Sequence, residues 1–161
     1  MSRLHALGRT VVALGIVSLL TLTAPLVSAG GNGAFTDTQI LHDVTQTFPT
    51  DSMCGSPAGT VTVTVNAVMH VTVNGAGDVG LTVTQEGRFL LVPTDPTLPS
   101  FAGHFTNWFG LSDNNRNSVQ HGTFSARGTA TDGSGATIEL HAVSHASISA
   151  GGQVNLFMDC H

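Results

Sequence analysis

The sequence predicts an all-β domain built as a small antiparallel barrel of seven or eight strands, with a β-sandwich as the alternative. Three observations lead to this prediction. Apolar and polar residues alternate with a period of two over long stretches, glycine-rich turns separate those stretches, and no apolar set recurs at helical spacing after the first 29 residues. Alternation with this period gives each strand one apolar face and one polar face.

Residues 1–29 have the pattern of a secretory signal peptide. A short basic start precedes the uncharged run TVVALGIVSLLTLTAPLV, and the Val-Ser-Ala sequence that follows Leu26 supplies the small residues that signal peptidase requires. We therefore predict cleavage after Ala29 and an extracellular mature chain. The alternative is an uncleaved membrane anchor, since the apolar run is nearly long enough to span a bilayer. Pro25 and the small residues at the exit argue against that alternative.

The predicted mature chain, residues 30–161, has the length of a single domain and is acidic. It carries three arginines, no lysine and ten acidic residues, which gives a net charge of −7 with histidine neutral. A surface of this charge is repelled by nucleic acid and by anionic lipid. Neither a nucleic acid nor, after cleavage, a membrane is therefore expected as a partner.

Two cysteines, Cys54 and Cys160, stand near opposite ends of the mature chain. In an oxidising compartment an even pair of this kind predicts one disulfide bond. The alternative is a reactive or metal-binding cysteine, but neither residue belongs to a Cys-x-x-Cys motif. A bridge from an early residue to the last strand would fasten the seam of the predicted barrel, where an edge would otherwise stay open.

The alternation predicts strands in order along the chain, at 38–48, 61–73, 79–91, 101–109, 119–130, 136–149 and 153–160. The second stretch is longer than an ordinary strand, so we expect it to bend strongly or to break near Asn66. Gly87 lies inside the third stretch, where a glycine indicates a bend or a bulge. The prolines of PTDPTLPS make it a connection, and the glycines of GAGD, TDGSGA and SAGGQ suit turns.

The motif HAVSH, from His141 to His145, is similar to the zinc-peptidase motif but lacks its glutamate. Its flanks alternate as in a strand, where residues four apart lie roughly 13 Å from each other and cannot share one ion. A metal or acid–base site would need a partner across a neighbouring strand, from His70, His104 or His121. No spacing enforces such a convergence, so we expect these imidazoles to bond to threonine or water, and predict no catalytic residue, metal ligand or cofactor.

The stretch FAGHFTNWFGLSDNNRN, residues 101–117, is the strongest candidate for a binding site. Its phenylalanines fall on one strand face and are expected in the core, whereas His104 and Trp108 fall on the other. If that other face lines a cavity, then Trp108, His104 and Arg116 bind a small apolar or amphipathic molecule. In the alternative, Trp108 shields an outer flank and the Asn and Asp residues cap their own turn.

These residues define three functional hypotheses. The first is a non-enzymatic module that binds a small ligand in the barrel or at its mouth. The second is an enzyme of the cyclase or isomerase type that uses the strand histidines in a barrel lumen, and the third is an extracellular structural protein without a pocket. The sequence leaves open whether His104, His121, His141 and His145 converge.

Several short motifs in the second half of the chain resemble those of a group of small secreted actinomycete proteins of unknown function. They are WFG at 108–110, NNRN at 114–117, FSARGTATDGSG at 124–135, the pair His141 and His145, and a cysteine close to the C-terminus. The resemblance implies export and paired cysteines. It also implies a glutamate after the first histidine of the pair, and Ala142 departs from that pattern.

Overall fold

The computed structural model describes residues 33–114 and 116–161. This part of the chain forms seven strands and no helix. The strands are β1 (Phe35–Thr50), β2 (Gly59–Val73), β3 (Val79–Pro93), β4 (Phe101–Asp113), β5 (Ser118–Ala130), β6 (Thr137–Ile148) and β7 (Val154–Cys160). The predicted leader and its cleavage point lie outside the described residues. Nothing in the described ranges is a helix of the length and hydropathy needed to cross a membrane.

Each strand pairs antiparallel with the next one along the chain, so the strands form a single meander in the order β1 to β7. This confirms the all-β prediction and fixes the number of strands at seven. The ladder does not continue from β7 back to β1, and a closed barrel is therefore not confirmed. The two cysteines form the predicted disulfide, which ties the β1–β2 connection to the end of β7.

A bulge in β1 takes the place of the break expected in β2. The long strand β2 pairs without interruption from Gly59 to Val73, but the register of β1 shifts between Leu41 and Val44, opposite Asn66. Asp43, with a φ of 52°, sits in the bulge and donates its backbone N–H to Asn66 Oδ1 at 3.0 Å. The irregularity thus occurs at the expected height on the neighbouring strand, where the extra residue increases the local twist.

The core lies on one face of the sheet, which we call the inward face; the opposite face is the outward face. It is concentrated at the end of the sheet where β2 starts, which we call the core end. Its buried members come from five strands; they are Val63, Val65, Leu91, Phe101, Phe105, Ala126, Ile138 and Leu140. Burial then falls along the inward face toward the opposite end, where β1 begins, which we call the open end. Phe101 and Phe105 are buried as predicted, but Phe109, farther toward the open end, is half-buried.

A layer of amides crosses the inward face at mid-height. Gln85 and Asn107 are cross-strand partners on β3 and β4, and both are buried. Asn107 Nδ2 donates to Gln85 Oε1 at 2.8 Å, so each amide compensates part of the desolvation of the other. Alternation of apolar and polar residues could not locate this pair, because both amides occupy positions at which the pattern predicts an apolar side chain.

Gly87 allows a close approach of three strands, and we expect Gly87→Ala to destabilise the protein by about 1–3 kcal/mol. A Cβ atom at this position would clash with the backbone oxygen of Thr64 and would lie 3.1 Å from Phe105 Cε1. Gly75→Ala is the matched control, because a Cβ there meets nothing within 4 Å. Urea denaturation measures both variants, and equal unfolding midpoints would contradict the close approach.

Candidate functional sites

The three predicted ligand-binding residues are spread along the sheet and do not converge. His104 and Trp108 both lie on the outward face of β4, four residues apart, which is about 13 Å along a strand. Arg116 lies in the β4–β5 turn at the open end, eight positions along the chain from Trp108. The depression at the open end, described below, has none of these three residues in its lining.

Trp108 covers part of the outward surface of β4. Its side chain is 40% exposed, and a Cβ atom placed on Gly110 would lie 2.9 Å from Trp108 Cη2. The indole ring thus lies over Gly110, where the missing side chain leaves room for it. This position corresponds to the alternative in which Trp108 shields an outer flank.

The turn that follows β4 is fixed by its own side chains. Asn114 Oδ1 accepts the backbone N–H of Asn117 at 2.8 Å and that of Arg116 at 3.3 Å. This is the local capping that such residues favour in turns. The asparagines therefore have a structural explanation, and Arg116 is exposed beside them.

His104 stands in a row of basic side chains on the outward face. Its cross-strand partners are Arg88 on β3 and Arg127 on β5, and all three side chains are exposed. Glu139 is the partner of Arg127 on β6. The row concentrates positive charge on an otherwise acidic protein, but the exposure of its members weakens their interactions with any ion.

The histidines of the strands lie on the outward face and form separate contacts. His70 Nδ1 and Thr38 Oγ1 are 2.8 Å apart, whereas His145 and His121 approach each other through their Nδ1 atoms at 3.1 Å. The ring of His141 lies 6.0 Å, centroid to centroid, from that of His161. The strand imidazoles lie on the face of the sheet opposite to the buried core.

Two carboxylates in loops at the core end have lowered pKa values. Asp95 accepts hydrogen bonds from the backbone N–H and the hydroxyl of Thr97, and these bonds lower its pKa. The side chain and backbone of Ser134 lower the pKa of Asp132 in the same way. Both carboxylates are fully exposed, so the bonds fix the local turns and do not indicate an acid–base site.

The open end of the sheet holds a concave surface that the sequence did not indicate. A depression of about 560 Å³ lies between the start of β1, the β2–β3 turn and the end of β4. Its apolar lining residues include Phe35, Val73 and Val79, and Val73 is the cross-strand partner of the other two. Most of the remaining lining residues are polar. They are Asn74, Asp78 and Asn114 at the turns, and the outward-facing row of cross-strand partners Thr36, Thr72, Gly80 and Ser112. Trp108 and His104 do not line it.

No family model, curated protein or solved structure matches this chain. The structure defines the fold class of the protein, which is a single-sheet antiparallel meander with one disulfide bond.

Proposed function

We propose that the protein is an exported, non-enzymatic module that binds a small apolar or amphipathic molecule at the open end of its sheet. The observation that carries the proposal is the depression lined by Phe35, Val73 and Val79. Export is supported by the disulfide bond, since such bonds form and persist in oxidising compartments.

The apolar lining of the open end is incompletely covered by the protein itself. Phe35 is 41% exposed although its side chain points to the same face as the buried core. On the other edge strand, Val154 and Leu156 on the inward face of β7 are more than half exposed. A ligand that covers this exposed apolar surface removes it from water, and this burial contributes favourably to the free energy of binding. The volume of the depression also falls in the range that small-molecule sites occupy.

The polar side of the depression restricts the charge of the ligand. Asp78 accepts a hydrogen bond from Asn74 Nδ2 at 2.7 Å, and Asn74 Oδ1 in turn accepts the backbone N–H groups of Ala76 and Asp78. This network holds a carboxylate beside the apolar walls. We therefore expect neutral or cationic amphiphiles to bind in preference to anionic ones.

Titration with the neutral probe N-phenyl-1-naphthylamine tests this function. We expect saturable, one-to-one enhancement of probe fluorescence, weaker binding of an anionic naphthalene sulfonate, and at least a tenfold loss of affinity in Val73→Asp, because a carboxylate then replaces part of the apolar wall. Val92→Asp is the control, since Val92 is an exposed outward residue near the opposite end of the sheet.

Two outcomes would contradict the proposal. One is probe binding that is unsaturable or equally weak in both aspartate variants. The other is a ligand-dependent shift in Trp108 emission that persists in Val73→Asp, because the ligand would then bind beside Trp108 and not against Val73.

A further inference from the structure

The pair His121 and His145 is held in direct register by two strands. The residues are Cα partners on β5 and β6, and both side chains project from the outward face. Their Nδ1 atoms are 3.1 Å apart, the ring centroids are 4.5 Å apart and the ring planes are tilted by 53°. Two adjacent strands fix the backbone positions, so little conformational entropy remains to be lost when a ligand engages both rings.

This geometry matches that of two neighbouring ligands of one metal ion. Metal–imidazole bonds are about 2.0–2.1 Å long, so two nitrogens 3.1 Å apart would subtend an angle of about 95–100° at an ion bound to both. That angle lies between the octahedral and tetrahedral values. The nitrogens therefore need no change in separation to become coordinating atoms, although each ring must turn its lone pair toward the ion.

We propose that His121 and His145 form a binding site for a borderline divalent transition-metal ion, Cu²⁺ above all, through their two Nδ1 atoms. In the neutral pair one Nδ1–H donates to the other Nδ1. The ion replaces this shared hydrogen, and the donor imidazole carries its proton on Nε2 instead, so two neutral rings bind the ion without net release of a proton. Both lone pairs on Nδ1 are then available to the metal.

The composition of the site favours an ion that keeps open coordination positions and exchanges with solvent. Among the described residues no group of three or more His, Cys, Asp or Glu side chains could hold a metal, so water or a small external ligand completes the coordination. Imidazole ligands suit Cu²⁺, Ni²⁺ and Zn²⁺, and affinity at a given nitrogen site is highest for Cu²⁺. The exposure of His121 gives the ion a path from solvent.

The single tryptophan of the chain provides a reporter for the test. The ring of Trp108 lies over Gly110, which is the Cα partner of His121. Cu²⁺ bound at the pair is thus close to the indole and should quench its emission. We expect titration with Cu²⁺ alone to quench Trp108 saturably at a one-to-one ratio, and prior addition of Zn²⁺ to reduce the quenching by competition.

Three single variants make the test specific. His121→Ala and His145→Ala should each weaken the quenching transition at least tenfold, since either change leaves one coordinating imidazole. His70→Ala is the matched control, because His70 is an exposed strand histidine bonded to Thr38, and it should titrate like the unmodified protein. Circular dichroism spectra verify that the variants keep the sheet.

The result that would overturn the proposal is an unchanged Cu²⁺ titration in both His121→Ala and His145→Ala with the sheet intact. Equal weakening in all three variants would overturn it as well, because the ion would then bind histidines without regard to their geometry. Calorimetric titration with Cu²⁺ gives the same decision independently of fluorescence.

Discussion

Replacement of both Cys54 and Cys160 by serine is expected to lower the free energy of unfolding by about 4–5 kcal/mol in the chain-entropy model of disulfide stabilisation. The two residues are separated by 106 positions, so the bridge closes a loop over most of the sheet and restricts the unfolded chain strongly. Small domains are stable by about 5–15 kcal/mol, so this loss is a large part of the total.

The native sheet also depends on the bridge at one particular strand. β7 is the shortest strand, pairs with β6 alone, and exposes most of its side chains. Burial of its side chains therefore contributes little to the stability of the strand, and the disulfide bond ties its end to the connection between β1 and β2. We expect amide hydrogen exchange in β7 to accelerate in the double serine variant more than exchange in β3 or β4.

The reduced unmodified protein is the control for this experiment. Guanidinium denaturation of the double variant and of the protein in excess reductant should give the same lowered midpoint, while the oxidised protein unfolds at higher denaturant. If the double variant unfolded at the midpoint of the oxidised protein, the bridge would have no role in stability.

The fold followed from the sequence wherever side-chain alternation was long enough to be seen. Strands such as β2 and β3 show it over most of their length, and glycine-rich turns mark where consecutive strands reverse. The predicted closure of the sheet into a barrel is not confirmed, because closure depends on the shear and tilt of all strands together and not on the pattern within any one of them. β7 is only seven residues long and stays unpaired with β1.

The candidate sites depended on register, which alternation alone does not specify. The pattern placed His121 and His145 on polar faces, but their meeting depends on how β5 and β6 are aligned by the turn between them. Counting outward from TDGSGA as a six-residue loop would pair His121 with Ala146, whereas the structure pairs His121 with His145 about a loop centred on Gly133. A change of one residue in the loop therefore decides whether the two histidines meet. The depression at the open end had no signal in the sequence, since it depends on the ends of four strands and on a degree of burial that falls toward that end.

The largest effect of a single side chain is expected at Phe105, where Phe105→Ala should destabilise the protein by about 3–5 kcal/mol. Phe105 is 3% exposed, and its ring lies beside that of Phe124 with centroids 6.1 Å apart. It also fills the space over Gly87, which has no side chain of its own. Truncation therefore removes apolar contacts from two neighbouring strands and leaves a cavity that the paired backbones cannot close.

Phe157→Ala is the matched control for this substitution. Phe157 is 54% exposed on the outward face of β7, so its truncation removes little buried surface and should change the free energy of unfolding by less than about 0.5 kcal/mol. Denaturant titrations of the two variants measure the difference directly. Since both changes remove the same atoms, a similar loss at the two positions would mean that the inward face is not the core, and the assignment of every strand face would have to be reversed or abandoned.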